Sequence, residues 1–204
     1  MELSESALIV PVPEAEGAVG QSRLTLDQSA AWGIPAHVTI LYPFLPPDQI
    51  DDDVLAALHD IIADVPRFDV TLTRVGWFAD TVVWLAPEPD FSFRQLTAAV
   101  WQRFPEAPPY AGAHTQTIPH LTIGHDAPVA VLEQAAAAVT AHLPITAAIH
   151  TVHLVARIAG PSPSPGPGPS PSPGPSRGPS PSRDPSPGRW QTVSRFPLRS
   201  TPAS

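Results

Sequence analysis

The sequence predicts an α+β fold built by internal duplication, and three observations carry that prediction. Short stretches in which apolar and polar residues alternate are interleaved with longer ones whose apolar positions recur at spacings of three and four. A His-apolar-Thr-Ile tetrad occurs twice, at His37 and at His120, 83 residues apart. Each copy sits in the same slot of a strand, helix, strand, helix, strand order.

Ala7 to Val12 has the composition of a short buried strand, which Pro13 with Glu14 and Glu16 ends. A helix is expected from about Gly17 to Trp32, broken by Gly33 and Pro35 before the alternating β-branched strand His37 to Tyr42. Asp48 stands as the N-cap of a helix with one apolar stripe, Ile50, Val54, Leu58, Ile61, Ile62 and Val65. The run Asp51 to Asp53 then forms its charged first turn. Phe68, Val70 and Leu72 open a strand toward Phe78. In the second half, Val82 to Ala86 is a strand, Phe93 to Phe104 marks a helix, and a Pro/Gly-rich loop leads to the strand His120 to His125. Asp126 is the expected cap of a helix through Leu143, and Ile145 to Ile158 is expected as one long strand. Trp190 to Phe196 alternates again and is expected to pair with it.

Between those last two strands lie 28 residues, Pro161 to Gly188, with 12 Pro, 8 Ser and 5 Gly. Such a tract cannot bury a core and is expected as a disordered loop. The remaining 176 residues suffice for one compact domain or two small fused lobes. Their formal charge is −9, against −8 for the whole chain, which argues against capture of long duplex nucleic acid or an anionic membrane. Without cysteine there is neither a thiolate nucleophile nor a cysteine-bearing metal site. All eleven basic residues are Arg, so Schiff-base and P-loop lysine chemistry are excluded too. Glu2 and Glu5 replace the basic start of a secretory signal, and Ala7 to Val12 is too short to span a bilayer, so a cytoplasmic location is expected.

Residues two apart on a strand share a face, so His37 lies beside Thr39 and His120 beside Thr122, backed by Val38, Ile40, Leu121 and Ile123. If the two strands meet about a pseudo-twofold axis, one cleft receives two imidazoles and two hydroxyls. A neutral imidazole takes a proton from water while a protonated one gives a proton to a leaving oxygen, which is what in-line displacement at phosphorus needs. The hydroxyls hydrogen-bond the non-bridging oxygens, and no metal or other cofactor is required.

At these residues the chain resembles the 2H phosphoesterase superfamily, which includes the 2′-5′ RNA ligases and RNA 2′,3′-cyclic phosphodiesterases. The likeness runs from LIVPVP at Leu8 through PAHVTILYPF at Pro35 and PHLTIGH at Pro119 to RWQTVSRFPL at Arg189. It implies two pseudo-symmetric lobes, each a small mostly antiparallel sheet packed by helices, facing across a central cleft. The bilobed domain would span residues 1–160 and 189–198, leaving 161–188 as a loop insertion and 199–204 as a disordered tail. It also implies catalytic roles for His37 and His120 and phosphate binding by Thr39 and Thr122. The reaction implied is hydrolysis of a 2′,3′-cyclic phosphate to a 2′-phosphate, or 2′-5′ ligation, on a small cyclic nucleotide or an RNA 3′ end, by a monomer.

Many members follow the second motif with an Arg where this chain has His125, and Arg157, Arg74 or Arg23 could stand in for it. By strand parity His125 falls on the face opposite His120, as a strand-end residue. Arg74 falls on the apolar phase of its strand, which requires a bulge or a polar cleft. Tyr42, Phe44, His125 and Arg157 are candidate substrate contacts, Tyr42 and Phe44 by stacking on a base. His59, His114, His142, His150 and His153 are expected as spectators. Two rival readings remain: a metal hydrolase using His120, His125 and Asp126 with a distant His, disfavoured because no His-Glu-x-x-His occurs and His120 and His125 are expected on opposite faces, and a nucleotide-binding module without turnover. A serine hydrolase is excluded by the lack of a Gly-x-Ser-x-Gly elbow.

Overall fold

The computed structural model describes residues 3–113, 117–158 and 189–200. Among them are eight strands: β1 (Leu3–Pro11), β2 (His37–Leu41), β3 (Phe68–Phe78), β4 (Val82–Glu88), β5 (Leu121–His125), β6 (Ile145–Ile149), β7 (Thr151–Ile158) and β8 (Arg189–Pro197). The α-helices are α1 (Glu16–Leu26), α2 (Gln28–Ala31), α3 (Asp52–Ala63), α4 (Phe91–Arg103) and α5 (Val129–Thr140). The strands form one antiparallel sheet in the order β6-β3-β4-β5-β2-β1-β7-β8.

This order explains both the duplication and the lobes. Strand β1 pairs with β2, and β4 pairs with β5, in the same antiparallel sense. The outer neighbours are exchanged between the halves: β3, from the first, flanks β4, whereas β7, from the second, flanks β1. The lobes are therefore interleaved, and the two motif strands meet at the centre through one paired position, Val38 opposite Leu121. A junction so thin leaves the sheet free to curl there.

Packing fixes which face is which. Val38, Ile40, Leu121 and Ile123 are at most 1% exposed and lie in the main core with Val19, Leu58, Phe93, Leu132 and other helix residues. Burying each contributes roughly 1.5–3 kcal/mol, so strand register is strongly held there. His37, Thr39, His120 and Thr122 alternate with these residues and remain only partly buried on the opposite face.

Several elements differ from expectation. The first long helix is two, because Asp27 is extended (φ −134°) and its side chain caps α2 by accepting from Ser29 N–H. The cap of α3 is Asp51, whose Oδ1 accepts from Val54 N–H at 2.9 Å, while Asp48 lies in the preceding 3-10 turn. Asp126 does not cap α5: it adopts φ +54°, and the helix begins after Pro128. The expected long strand divides at His150, so that β6 pairs with β3 on one edge and β7 with β1 and β8 on the other. The predicted pairing across the Pro/Ser/Gly tract is present, Ile158 lying opposite Arg189; the tract itself and His114 lie outside the described residues. Of the expected disordered tail 199–204, Arg199 is instead tied down, donating to Val65 O and accepting from Arg67 N–H next to the buried Leu198, and residues 201–204 lie outside the described residues.

Candidate active site

Each motif histidine is held by its own backbone. His37 Nδ1 lies 2.8 Å from Pro35 O, and His120 Nδ1 lies 2.7 Å from Ile118 O. A carbonyl only accepts, so Nδ1 carries the proton in both rings and each neutral ring keeps its lone pair on Nε2. Burial, then the Arg23 charge, lowers His37 to about 4, against the pull of Pro35 O and Asp27; His120 adds to the lowering. Burial also lowers His120, against the pull of Ile118 O. Both histidines are therefore mainly neutral at pH 7.

The strands are bulged at matching places. In the β1–β2 ladder Leu8 faces Leu41 and Ile9 faces Thr39, which leaves Ile40 as an extra residue. In the β4–β5 ladder Val83 faces Gly124 and Trp84 faces Thr122, which leaves Ile123 extra. An extra residue inverts the alternation beyond it. Tyr42 and His125 consequently return to the face of His37, Thr39, His120 and Thr122. The parity argument that set His125 opposite His120 is thus overturned, and with it the same argument against the metal reading. Among the described residues, however, no three of His, Asp or Glu are grouped as metal ligands. Gly124, on the buried side of its bulge, meets Leu26, and a Cβ there would lie 2.6 Å from the Leu26 Cβ.

Two cavities flank this row. One, of about 560 Å³, is lined by His120, Thr122 and His125 with Phe78, Val82, Tyr110 and Ile118. Phe78 and Trp84 stand against His120, with ring centroids 4.9 and 5.9 Å away. The other, of about 310 Å³, is lined by His37, Thr39, Tyr42 and His125 with Glu5, Asp27, Trp32 and Trp190 among its walls. His125 borders both cavities.

His125 is held between two carboxylates, Asp27 Oδ1 at 3.6 Å from Nε2 and Asp126 Oδ2 at 2.8 Å from Nδ1. Asp27 first and Asp126 second raise its pKa to about 9, so it is cationic at pH 7. Asp27 is itself buried against Arg23, whose Nε and Nη2 reach Oδ2 at 3.0 and 2.9 Å. Its desolvation is outweighed by the neighbouring His125, by hydrogen bonds from Ser29 and Arg23 and by the Arg23 charge, which hold its carboxyl well below the usual range. Sequence reading missed Asp27, although its Asp-x-Ser spacing is that of a helix cap.

The other candidates divide. Tyr42 lines the His37 cavity and donates to Glu5 Oε2 at 3.2 Å. Phe44 lies in the core, edge-on to Phe104 at 5.3 Å, because its N–H bonds to Ser6 O and turns the chain inward. Arg157 lies over the Trp32 ring at 5.2 Å, beside that cavity. Arg74 is exposed; a bulge at Thr73 turns it to the face of Gly76 and Trp84, where it bonds to Glu88. Arg23 is buried on Asp27 and does not reach the cleft as a free cation.

The fold is shared with solved structures of low sequence identity. E. coli LigT complexed with 3′-AMP superposes with a TM-score of 0.53 at 17% identity, covering 97% of this chain and 99% of that one. The same protein complexed with phosphate gives 0.52 at 18%, covering 98% and 99%. TT0787 of Thermus thermophilus gives 0.58 at 15%, covering 96% and 98%. No curated protein matches. The family model of the 2′-5′ RNA ligase superfamily matches residues 11–161. That span takes in both motif strands and both bulges, and the chain belongs to this superfamily.

Proposed function

We propose that the chain is a metal-independent phosphodiesterase that opens 2′,3′-cyclic phosphates, of nucleotides or RNA ends, to 2′-phosphates. The observation that carries this reading is the matched tethering of His37 and His120 through Nδ1, which makes Nε2 the working atom of both. His37, the more strongly depressed, is the base: its Nε2 takes a proton from water as the water oxygen bonds to phosphorus. The P–O3′ bond breaks in line, and the imidazolium form of His120, protonated on both ring nitrogens, gives its Nε2 proton to the departing O3′. Thr39 and Thr122 donate to the non-bridging oxygens, and the His125 cation balances the charge that grows on them. With a 5′-hydroxyl in place of water the same steps form a 2′-5′ linkage. The acidic body favours a small nucleotide or an RNA end over duplex nucleic acid, and the proposed enzyme works as a cytoplasmic monomer.

The test is turnover of 2′,3′-cyclic nucleotides with and without chelator, by the unaltered chain and by His37→Ala and His120→Ala. Chelator-resistant release of 2′-phosphate, lost in both variants, is expected. Turnover that chelator stops and zinc restores, or that survives either substitution, would overturn the mechanism. Specific binding with no turnover would favour a nucleotide-binding module instead.

A further inference from the structure

The cavity beside His37 is lined by two carboxylates, Asp27, which is paired with Arg23 and His125, and Glu5, although the proposed ligand is an anion. Like charges in a partly desolvated site repel, so Glu5 must stand away from the phosphate and serve another part of the ligand. The register provides that separation. Ile9 lies opposite Thr39, and Glu5 is four residues up the same strand, roughly 13 Å away at 3.2–3.4 Å per residue. That is the reach of a nucleoside measured from its phosphate.

The surroundings suit a base. Ala7, Ile9 and Ile34 form an apolar floor, and Trp32, Tyr42 and Trp190 supply aromatic walls. The Tyr42 hydroxyl donates to Glu5 Oε2 and fixes the carboxylate's position. A carboxylate only accepts, so it selects a base by that base's N–H groups. Guanine presents two adjacent donors, N1–H and N2–H. Adenine and cytosine place an acceptor nitrogen beside their amino group, and uracil flanks its N–H with carbonyls. The opposite cavity, walled by Phe78, Val82, Tyr110 and Ile118, has no carboxylate among its lining residues.

We propose that Glu5 is a specificity-determining residue that selects guanine for the nucleoside on the His37 side of the phosphorus. The proposal rests on the proposed function for the position of the phosphate. Its test is tryptophan-fluorescence binding of 2′-5′-linked dinucleoside monophosphates with sequences G-U, U-G and U-U, in a His120→Ala background that prevents turnover. Because His37 serves the attacking oxygen and His120 the departing O3′, the His37-side nucleoside carries the 5′-oxygen, and the order U-G should bind roughly tenfold or more tighter than U-U. Glu5→Gln should bring that order to the level of U-U, and Tyr42→Phe, which leaves the carboxylate unfixed, should weaken the preference. Equal binding of all three dinucleotides, or a preference unmoved by Glu5→Gln in a variant with unchanged circular dichroism, would overturn it. The two readings fail separately: a guanine preference in a chain that hydrolyses no cyclic nucleotide would remove the activity and leave Glu5 its role. Hydrolysis without base preference in binding would do the reverse.

Discussion

Ile40 and Ile123 are equivalent residues: each is the extra residue of a bulge one position beyond the motif threonine, and each turns the residue two further on back into the cleft. The first bulge has a visible support. Ile40 O accepts a hydrogen bond from the buried Thr97 hydroxyl of α4 at 2.9 Å. That explains a threonine only 7% exposed in the buried face of a helix.

Thr97→Val should therefore cost about 1–3 kcal/mol, because it keeps the shape and leaves a buried carbonyl unpaired. Chemical denaturation measures the loss. Since Tyr42 lies just past the bulge and lines the His37 cavity, affinity for a 2′-5′-linked dinucleotide should fall while His120 titrates as before. Unchanged stability would show that the bulge does not depend on this bond.

The bulges also mark where the sequence stops being legible. The faces of His37, Thr39, His120 and Thr122 follow from alternation, since the ladder is regular up to each threonine. Beyond it a period of two misplaces His125, although Gly124, a glycine inside a strand, is a signal that the strand can bulge there. Phe44 is misassigned for a related reason: the bond from its N–H to Ser6 O, which turns it into the core, is long-range. The break at His150 is equally hidden, because β6 and β7 have compatible alternation and differ only in their partners. The Asp27 cap was present in the sequence, but its partnership with His125 spans the two halves of the duplication.

His125 is held as a cation between Asp27 and Asp126, and its charge titrates. Phosphate affinity, measured by calorimetry, should fall as pH rises through about 9. His125→Arg should keep its affinity above that pH, and His125→Gln should lose affinity roughly tenfold or more at pH 7, the scale of one hydrogen bond to a charged group. A His125→Gln variant that binds phosphate as well as the parent would remove the residue from the site.

The pH dependence of kcat/KM follows from the free-enzyme groups. The base must be neutral, so the acid limb falls as pH drops through about 4, set by His37. The acid must be protonated, and burial holds His120 below its ordinary value of 6.5, so the other limb begins below neutrality. The profile should be a bell with its maximum in mildly acidic solution. His120→Ala should abolish the descending limb along with most of the rate, on the order of 10²-fold or more. A maximum at alkaline pH would exclude the pair as the titrating acid and base.

The Arg23–Asp27 pair tests the coupling of stability to the cleft. Both side chains are buried, at 2% and 4% exposure, and Asp27 also faces His125. Asp27→Asn retains the shape and removes the charge, leaving Arg23 uncompensated at a cost of about 3–5 kcal/mol. Because Asp27 is depressed below its ordinary 3.8, its contribution is present above that pH and is lost as pH falls through the folded-state value; the variant should lose this acid dependence. His125 works in the opposite direction. Raised from 6.5 to about 9, it stabilises fully below 6.5 and the contribution disappears as pH rises through about 9. In Asp27→Asn, therefore, melting temperature should fall at neutral pH, and the His125 resonance should titrate nearer 6.5. His37, now beside an unscreened Arg23, should titrate lower still. A variant that melts lower yet leaves both histidine titrations in place would make Asp27 a structural residue with no electrical link to the cleft.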